Sequence, residues 1–352
     1  MAESDIFSGF SCPVPYSSKD SILLGHGSGG RLSAELLREV ILPAFANPVL
    51  GRLDDQAVVS VNGSRLAFTT DSFVVKPLFF PGGDIGSLAA HGTINDLAMG
   101  GALPLFLSVA FIIEEGLPME VLRRVVKSLR ESARNAGVDV VTGDTKVVEK
   151  GSGDGIFINT SGIGLVPDGI ELSANRARPG DRVLLSGTIG DHGITILGQR
   201  EGLEFESAVK SDTAPLHTLV AAMLGVTPEF RCFRDPTRGG LSSSLNEIAG
   251  QSRVGIELDE REIPLREEVR GACEMLGLDP LYVANEGKLV AIVDAAKAEA
   301  VLDAMRKHPL GREAHIIGTV TEAHPGLVTM RTPLGTTRIV DMLAGDQLPR
   351  IC

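Results

Sequence analysis

The sequence predicts a two-domain protein of the α+β, or two-layer α/β, class. Three observations lead there. A chain of 352 residues exceeds what a single hydrophobic core comfortably holds, so two domains of roughly 150 to 180 residues are expected. Strand-like and helix-like segments mix without a steady βαβ rhythm, which argues against a doubly wound sheet. Near the middle, the polar stretch PDGIELSANRARPGD, starting at Pro167, interrupts the pattern and marks a domain boundary. The expected divisions are an extended leader at 1–20, domains at 21–166 and 167–345, and a tail at 346–352.

Composition narrows the functional classes. With 43% hydrophobic and 22% charged residues, the chain is neither disordered nor fibrous. Its net charge of −12 opposes nucleic acid or an anionic membrane surface as the main partner. The longest apolar run, LPLFLSVAFII from Leu103, is too short to span a bilayer and reads as a buried strand. No apolar signal segment follows Met1, so a cytoplasmic location is expected. Cys12, Cys232, Cys273 and Cys352 contain no CxxC pair, which speaks against a zinc site or a disulfide framework. Cys232 and Cys273 read as small buried hydrophobes.

Taken in order, a short strand at Ile22–Leu24 precedes GHGSGG and an amphipathic stretch from Leu32 to Phe45. Two apolar segments, 56–61 and 65–70, flank Asn62-Gly63, a strong hairpin signal. Asp54 and Asp55 open the first strand and Asp71 closes the second, so the hairpin should gather these carboxylates. Asp84 reads as the N-cap of a helix stopped by Gly100-Gly101; on it His91, Asn95 and Asp96 make a polar stripe. A second helix is expected at 118–136, with Val125, Leu129 and Ala133 on its apolar face. VDVVTGDTKVV then reads as strand, turn, strand, with Asp144 and Lys146 at the turn. The second half carries RVLLSG, GTIGDHGI, a helix near 214–225, DPTRGGL leading into a helix, YVANEGKLVAIV, and a final pair of strands at 314–321 and 327–340.

The chemistry-bearing residues point to a nucleotide. Gly25, Gly27 and Gly30 fit GxGxxG, but the preceding strand is very short and a hairpin follows where a dinucleotide fold needs a crossover. A phosphate-contacting turn before a helix remains. Asp54, Asp55, Asp71, Asp96 and Asp144 fall at strand ends or on the polar helix stripe; grouped carboxylates repel unless a cation holds them, and Mg²⁺ with phosphate oxygens is the usual solution. Lys146 suits a phosphate contact, Glu286 sits on a tight turn where a general base can be held, and His91 suits a positioning role. Cys352 ends the chain: seven residues, 346–352, extend roughly 23 to 25 Å, and Pro349 disfavours helix at Leu348, leaving a thiol on a tether.

LDDQAVV, TTDSF, HGTINDLAMGGALP, GDTKVV, GTIGDHGI, DPTRGGL and NEGKLV occur in the order found in the ATP-binding superfamily of aminoimidazole ribonucleotide synthetase and selenophosphate synthetase, and from about Leu23 to Cys352 the chain resembles that superfamily. GHGSGGR, the HGTINDLA form of the helix, Lys146 after GDT and the terminal Pro-Arg-Ile-Cys resemble one branch of it, the hydrogenase-maturation carbamoyl dehydratases. The resemblance implies a two-domain PurM-like fold whose N-terminal domain forms a homodimer through its strands, with ATP and Mg²⁺ near the domain and subunit junction. It implies a partner carbamoyltransferase that loads Cys352, ATP-driven dehydration of the S-carboxamide to an S-cyanide, and delivery to iron on a scaffold complex. Asp55, Asp71, Asp96 and Asp235 would be the metal-associated carboxylates, with the choice between Asp54 and Asp55 open. Lys146 and Glu286 would be catalytic, with Asp96 competing as base, and Gly27, Gly29, Gly30, Asn95, Asp144 and Thr145 would meet the nucleotide.

This chemistry is coherent, because an amide oxygen leaves only after conversion to phosphate, and ATP is the natural donor. Two alternatives stand beside it. Selenophosphate-synthetase-like phosphoryl transfer is disfavoured because the segment near Gly25 lacks the reactive Cys and Lys pair of that branch. A nucleotide-gated scaffold without chemistry leaves Lys146, the aspartates and a carrier thiol without a purpose.

Overall fold

The computed structural model describes residues 21–202 and 209–344. The leader at 1–20 and the tail at 346–352, and with them Cys12 and Cys352, lie outside the described residues. The first element of the described residues is a 3₁₀ turn at Leu24–Gly27, where a strand at Ile22–Leu24 was expected. The amphipathic stretch after it is helical throughout: α1 (Arg31–Leu36) passes through a π-turn at Leu37–Ile41 into α2 (Leu42–Phe45).

The first sheet is built around the expected hairpin. Strands β1 (Ala57–Val61) and β2 (Ser64–Phe73) pair from Ala57 with Phe68 to Val61 with Ser64. Asn62 and Gly63 both have positive φ, 49° and 86°, the conformation a type I′ turn demands. A short ladder, β3 (Phe79–Phe80) with β4 (Gly83–Asp84), leads into helix α3 (Ile85–Met99). The Asp84 carboxylate accepts from Gly86 N and Ser87 N at 2.8 and 2.9 Å, which caps the helix as expected. Strand β5 (Leu103–Glu114), helix α4 (Met119–Asn135), β6 (Asp139–Val148) and β7 (Ile156–Leu165) complete this half, in sheet order β1-β2-β7-β5-β6.

Two expectations change here. Residues 139–148 form one continuous edge strand, parallel to β5, because pairing with β5 overrides the local turn signal of Gly143-Asp144. The glycine serves a close approach: a Cβ there would lie 2.1 Å from Val109 O. The apolar run at Leu103 is buried on one face only. Leu107 and Val109 are buried while Phe106 and Ile112 are exposed, so the sheet carries apolar side chains on its outer face too. Cross-strand register aligns Phe68, Ile163 and Phe106 there.

The second sheet has seven strands. In chain order its elements are β8 (Arg182–Leu185), α5 (Asp191–Glu201), α6 (His217–Leu224), β9 (Phe230–Arg234), α7 (Gly240–Ser252), β10 (Gly255–Asp259), α8 (Glu267–Leu276), β11 (Val290–Val293), α9 (Ala295–Lys307), β12 (His315–Thr321), β13 (Val328–Arg331) and β14 (Thr337–Val340). The sheet order is β14-β13-β10-β12-β8-β11-β9. The segment expected as one strand at 327–340 is thus a hairpin.

Helix α3 joins the halves. All of its residues except His91 and Asp96 are buried, and Leu97, Ala98 and Met99 share one apolar core with Leu216, Leu219, Met223 and Phe230 of the second half. A helix apolar nearly all round belongs between two layers, and that position carries Asp96 and Asn95 to the junction. No described helix is long and apolar enough to cross a membrane.

Candidate functional site

At the junction, three loops and one helix converge. Asp96 on α3 accepts a hydrogen bond from Thr69 Oγ1 at 2.7 Å, and the same hydroxyl lies 2.9 Å from Asp55 O. Asp71 projects from β2 on the face that meets α3. Asp235 follows β9, in a loop where Thr237 N donates to Asp235 O at 2.9 Å. Asp55, Asp71, Asp96 and Asp235 therefore form one electrostatic group. Burial pushes all four above the ordinary carboxylate value; Asp96 is pushed further by Asp71, Asp235 and Asp55, and Asp235 by Asp55 and Asp71.

The neighbouring Asp54 and Asp55 take separate roles. Asp54 accepts from Ser173 Oγ at 3.0 Å and Ala174 N at 3.2 Å, tying the interdomain linker. Asp55 faces the carboxylate group and pairs with the guanidinium of Arg234, which also reaches Leu53 O at 2.7 Å and Glu247 at 3.3 Å. Arg234 was missed by the sequence reading, as was Arg238, whose charge opposes the upward shift of Asp71; both flank or occupy the DPTRGGL motif.

Oxygen donors in a largely desolvated group of like charge suit a hard divalent cation. Among the described residues, no three carboxylate, histidine or cysteine side chains converge at metal-ligand spacing, so the donor chemistry fits such an ion without a finished cage.

Glu286 is buried in a turn locked to the aspartate loop: Asn285 N and Nδ2 both donate to Pro236 O, at 3.1 and 2.9 Å. Asn95 is employed differently from its expected cofactor contact. Its amide donates to Ala214 O at 3.0 Å and Glu286 O at 3.2 Å and accepts from Leu216 N at 2.8 Å, which makes it a clamp between domains. His91 Nδ1 meets Thr213 Oγ1 at 3.1 Å, and burial lowers its pKa to about 4, consistent with positioning.

The glycine-rich turn is closed on itself. Gly29 N donates to Ser33 Oγ at 2.9 Å and Arg31 N to Leu343 O at 2.8 Å, so these N–H groups are taken by the protein. A Cβ on Gly30 would lie 2.4 Å from Leu343 O, and one on Gly29 2.6 Å from Arg238 Cβ. For Gly29 and Gly30 the structure thus supplies a packing reason, with Gly27 beside them in the 3₁₀ turn.

Lys146, Asp144 and Thr145 are not brought to the aspartates within one chain. Register runs Asp71, Thr160, Val109, Gly143 across the sheet, three strand spacings or about 14 Å. Asp144 and Lys146 project from the opposite, outer face, 4.0 Å apart and well exposed.

This two-layer pair of domains, with carboxylates at its junction, defines a class: residues 53–166 match the N-terminal domain and residues 178–330 the C-terminal domain of AIR synthase related proteins. Carbamoyl dehydratase HypE of Azotobacter vinelandii is 60% identical over 332 residues, 94% of this chain and 97% of the relative. A solved HypE–HypF complex contains a chain 51% identical, with TM-score 0.84, over 88% of this chain and 99% of that one. HypE solved in complex with ATP is 52% identical, with TM-score 0.80, over 94% and 100%. The chain belongs to the carbamoyl dehydratase HypE family.

Proposed function

We propose that this enzyme uses ATP to dehydrate the S-carbamoyl group carried by its own Cys352, giving an S-cyanide destined for the iron of a [NiFe]-hydrogenase. The observation that carries the reading is the meeting of Asp55, Asp71, Asp96, Asp235 and the Glu286 turn at one junction, in a chain that ends Pro349-Arg350-Ile351-Cys352. The relative solved with ATP supports the nucleotide, and the relative solved with HypF supports a protein partner, here the carbamoyltransferase that loads Cys352. A hydrogenase-maturation iron scaffold would receive the product in the cytoplasm.

Asp55, Asp71, Asp96 and Asp235 would hold Mg²⁺, whose role is to offset charge on the phosphates. The amide oxygen takes the γ-phosphoryl group and departs as phosphate, while the nitrogen loses both protons and the C≡N bond forms. Glu286 receives one N–H proton, with Asp96 as the competing base, and the second leaves on the departing phosphate. Lys146 stabilises the transferring phosphoryl charge. Because it projects from the outer sheet face, which also carries the apolar row Phe68, Ile163 and Phe106, this reading includes a homodimer that packs through that face and brings Lys146 to a site at the subunit junction.

The test is mass spectrometry of the C-terminal peptide after incubation with the carbamoyltransferase, carbamoyl phosphate and ATP. A carbamoyl adduct should form on Cys352 and lose one water only when ATP is hydrolysed. An adduct whose mass never responds to ATP sinks the dehydratase reading. Cys352→Ala should abolish the adduct and leave ATP binding intact.

A further inference from the structure

Residues 209–216 have no helix or strand of their own, yet their side chains and backbone clamp several elements together. Ser211 Oγ meets His192 Nδ1 of α5 at 2.7 Å. Thr213 meets His91 of α3, and Ala214 O and Leu216 N are held by Asn95 of α3. Between them Asp212 reaches the turn of the second domain, where its Oδ1 accepts from Glu286 N at 3.0 Å. Its Oδ2 lies 3.3 Å from Lys288 Nζ, with the two side chains 3% and 13% exposed. Gly187 leaves room for this pair, since a Cβ there would lie 3.1 Å from Lys288 Cε. A cavity of about 440 Å³ opens on the far side, lined by Asp212, Lys288, Gly187 and Arg266.

We propose that Asp212 is a positioning residue for the dehydration step, fixing the backbone of Glu286 while Lys288 holds the Asp212 carboxylate in place. The inference rests on the reading of Glu286 as the group that takes the N–H proton. Asn95 holds the carbonyl of Glu286 from α3 and Asp212 holds its N–H from the 209–216 strap, so both backbone groups of this residue are pinned from outside the turn. Nitrile formation needs the carboxylate held against the amide nitrogen, and displacement of a base by about 1 Å costs rate steeply. A buried N–H without its acceptor is driven to find another, so removing the Asp212 oxygen should loosen the turn and displace the Glu286 side chain.

The experiment uses full-length carbamoylated enzyme. Single-turnover loss of water from the Cys352 peptide is followed with saturating ATP, and native-state hydrogen exchange is followed in the peptide spanning 284–288. Asp212→Ala should slow dehydration by about tenfold to a hundredfold, leave ATP affinity within about twofold, and speed exchange at the turn by about tenfold. Asp212→Asn, which keeps an acceptor oxygen, should restore both to within about threefold of wild type. In a Glu286→Gln background, Asp212→Ala should add no further loss of rate. Unchanged exchange in Asp212→Ala overturns the inference, as does an Asn variant as slow as the Ala variant, or additive losses in the double variant. Full rate in Glu286→Gln alone removes the base role of Glu286, and the exchange measurement still decides whether Asp212 fixes the turn.

Discussion

Arg234, at the end of β9 in the second domain, forms an ion pair with Asp55, which precedes β1 in the first. The guanidinium is buried and also engages Leu53 O and Glu247, so one cation pairs with two acids and bolts the domains at the rim of the carboxylate group. Removing one member of a buried pair leaves the other charged and desolvated. Arg234→Met should therefore lower global stability by about 3 kcal/mol in urea unfolding. A loss below about 1 kcal/mol would show that the pair is solvated and holds little.

His192 is fully buried in α5, and burial lowers its pKa to about 4 from 6.5. The unfolded chain then binds a proton before the folded one, so stability falls as pH drops from about 6.5 to about 4 and levels below that. The contribution is up to about 3 kcal/mol. The raised aspartates act with opposite sign: the folded state holds their protons longer, so as pH rises from 3.8 through their raised values they lower stability. Comparing wild type with His192→Gln isolates the histidine, and the variant should show a flatter acid limb between pH 6.5 and 4. Parallel curves would contradict the buried neutral state.

Phe68, Ile163 and Phe106 form an exposed row, 47%, 40% and 43% accessible. The homodimer proposed above packs through this apolar row. Phe106→Asp and Ile163→Asp should each convert a dimer to a monomer in light scattering without unfolding it. A dimer that survives both changes would assign the interface to another surface.

Lys146 and Asp96 lie on opposite faces of the first sheet. With a site shared between subunits, mixing inactive Lys146→Ala and Asp96→Asn chains should recover about a quarter of wild-type dehydration, because half the dimers are mixed and each has one intact site. No recovery on mixing would place Lys146 and Asp96 of the same chain in one site.

Much of this protein is written in short stretches of chain. Asn62-Gly63 encodes its turn because only residues tolerating positive φ close such a hairpin, and Asp84 encodes a helix start because its carboxylate reaches N–H groups two and three residues away. The motif order and the terminal Pro-Arg-Ile-Cys likewise require no tertiary contact to be read. What folding alone decided depends on partners far apart in sequence. Arg234 pairs with Asp55 across 179 positions and Asp212 with Glu286 across 74. Gly143-Asp144 has local turn chemistry, yet pairing with β5 makes it strand and turns Lys146 away from the aspartates. Local backbone preferences act within a few residues, whereas burial and charge pairing are settled only when α3 is enclosed between two domains. That enclosure set Asp55 apart from Asp54 and made Asn95 a clamp.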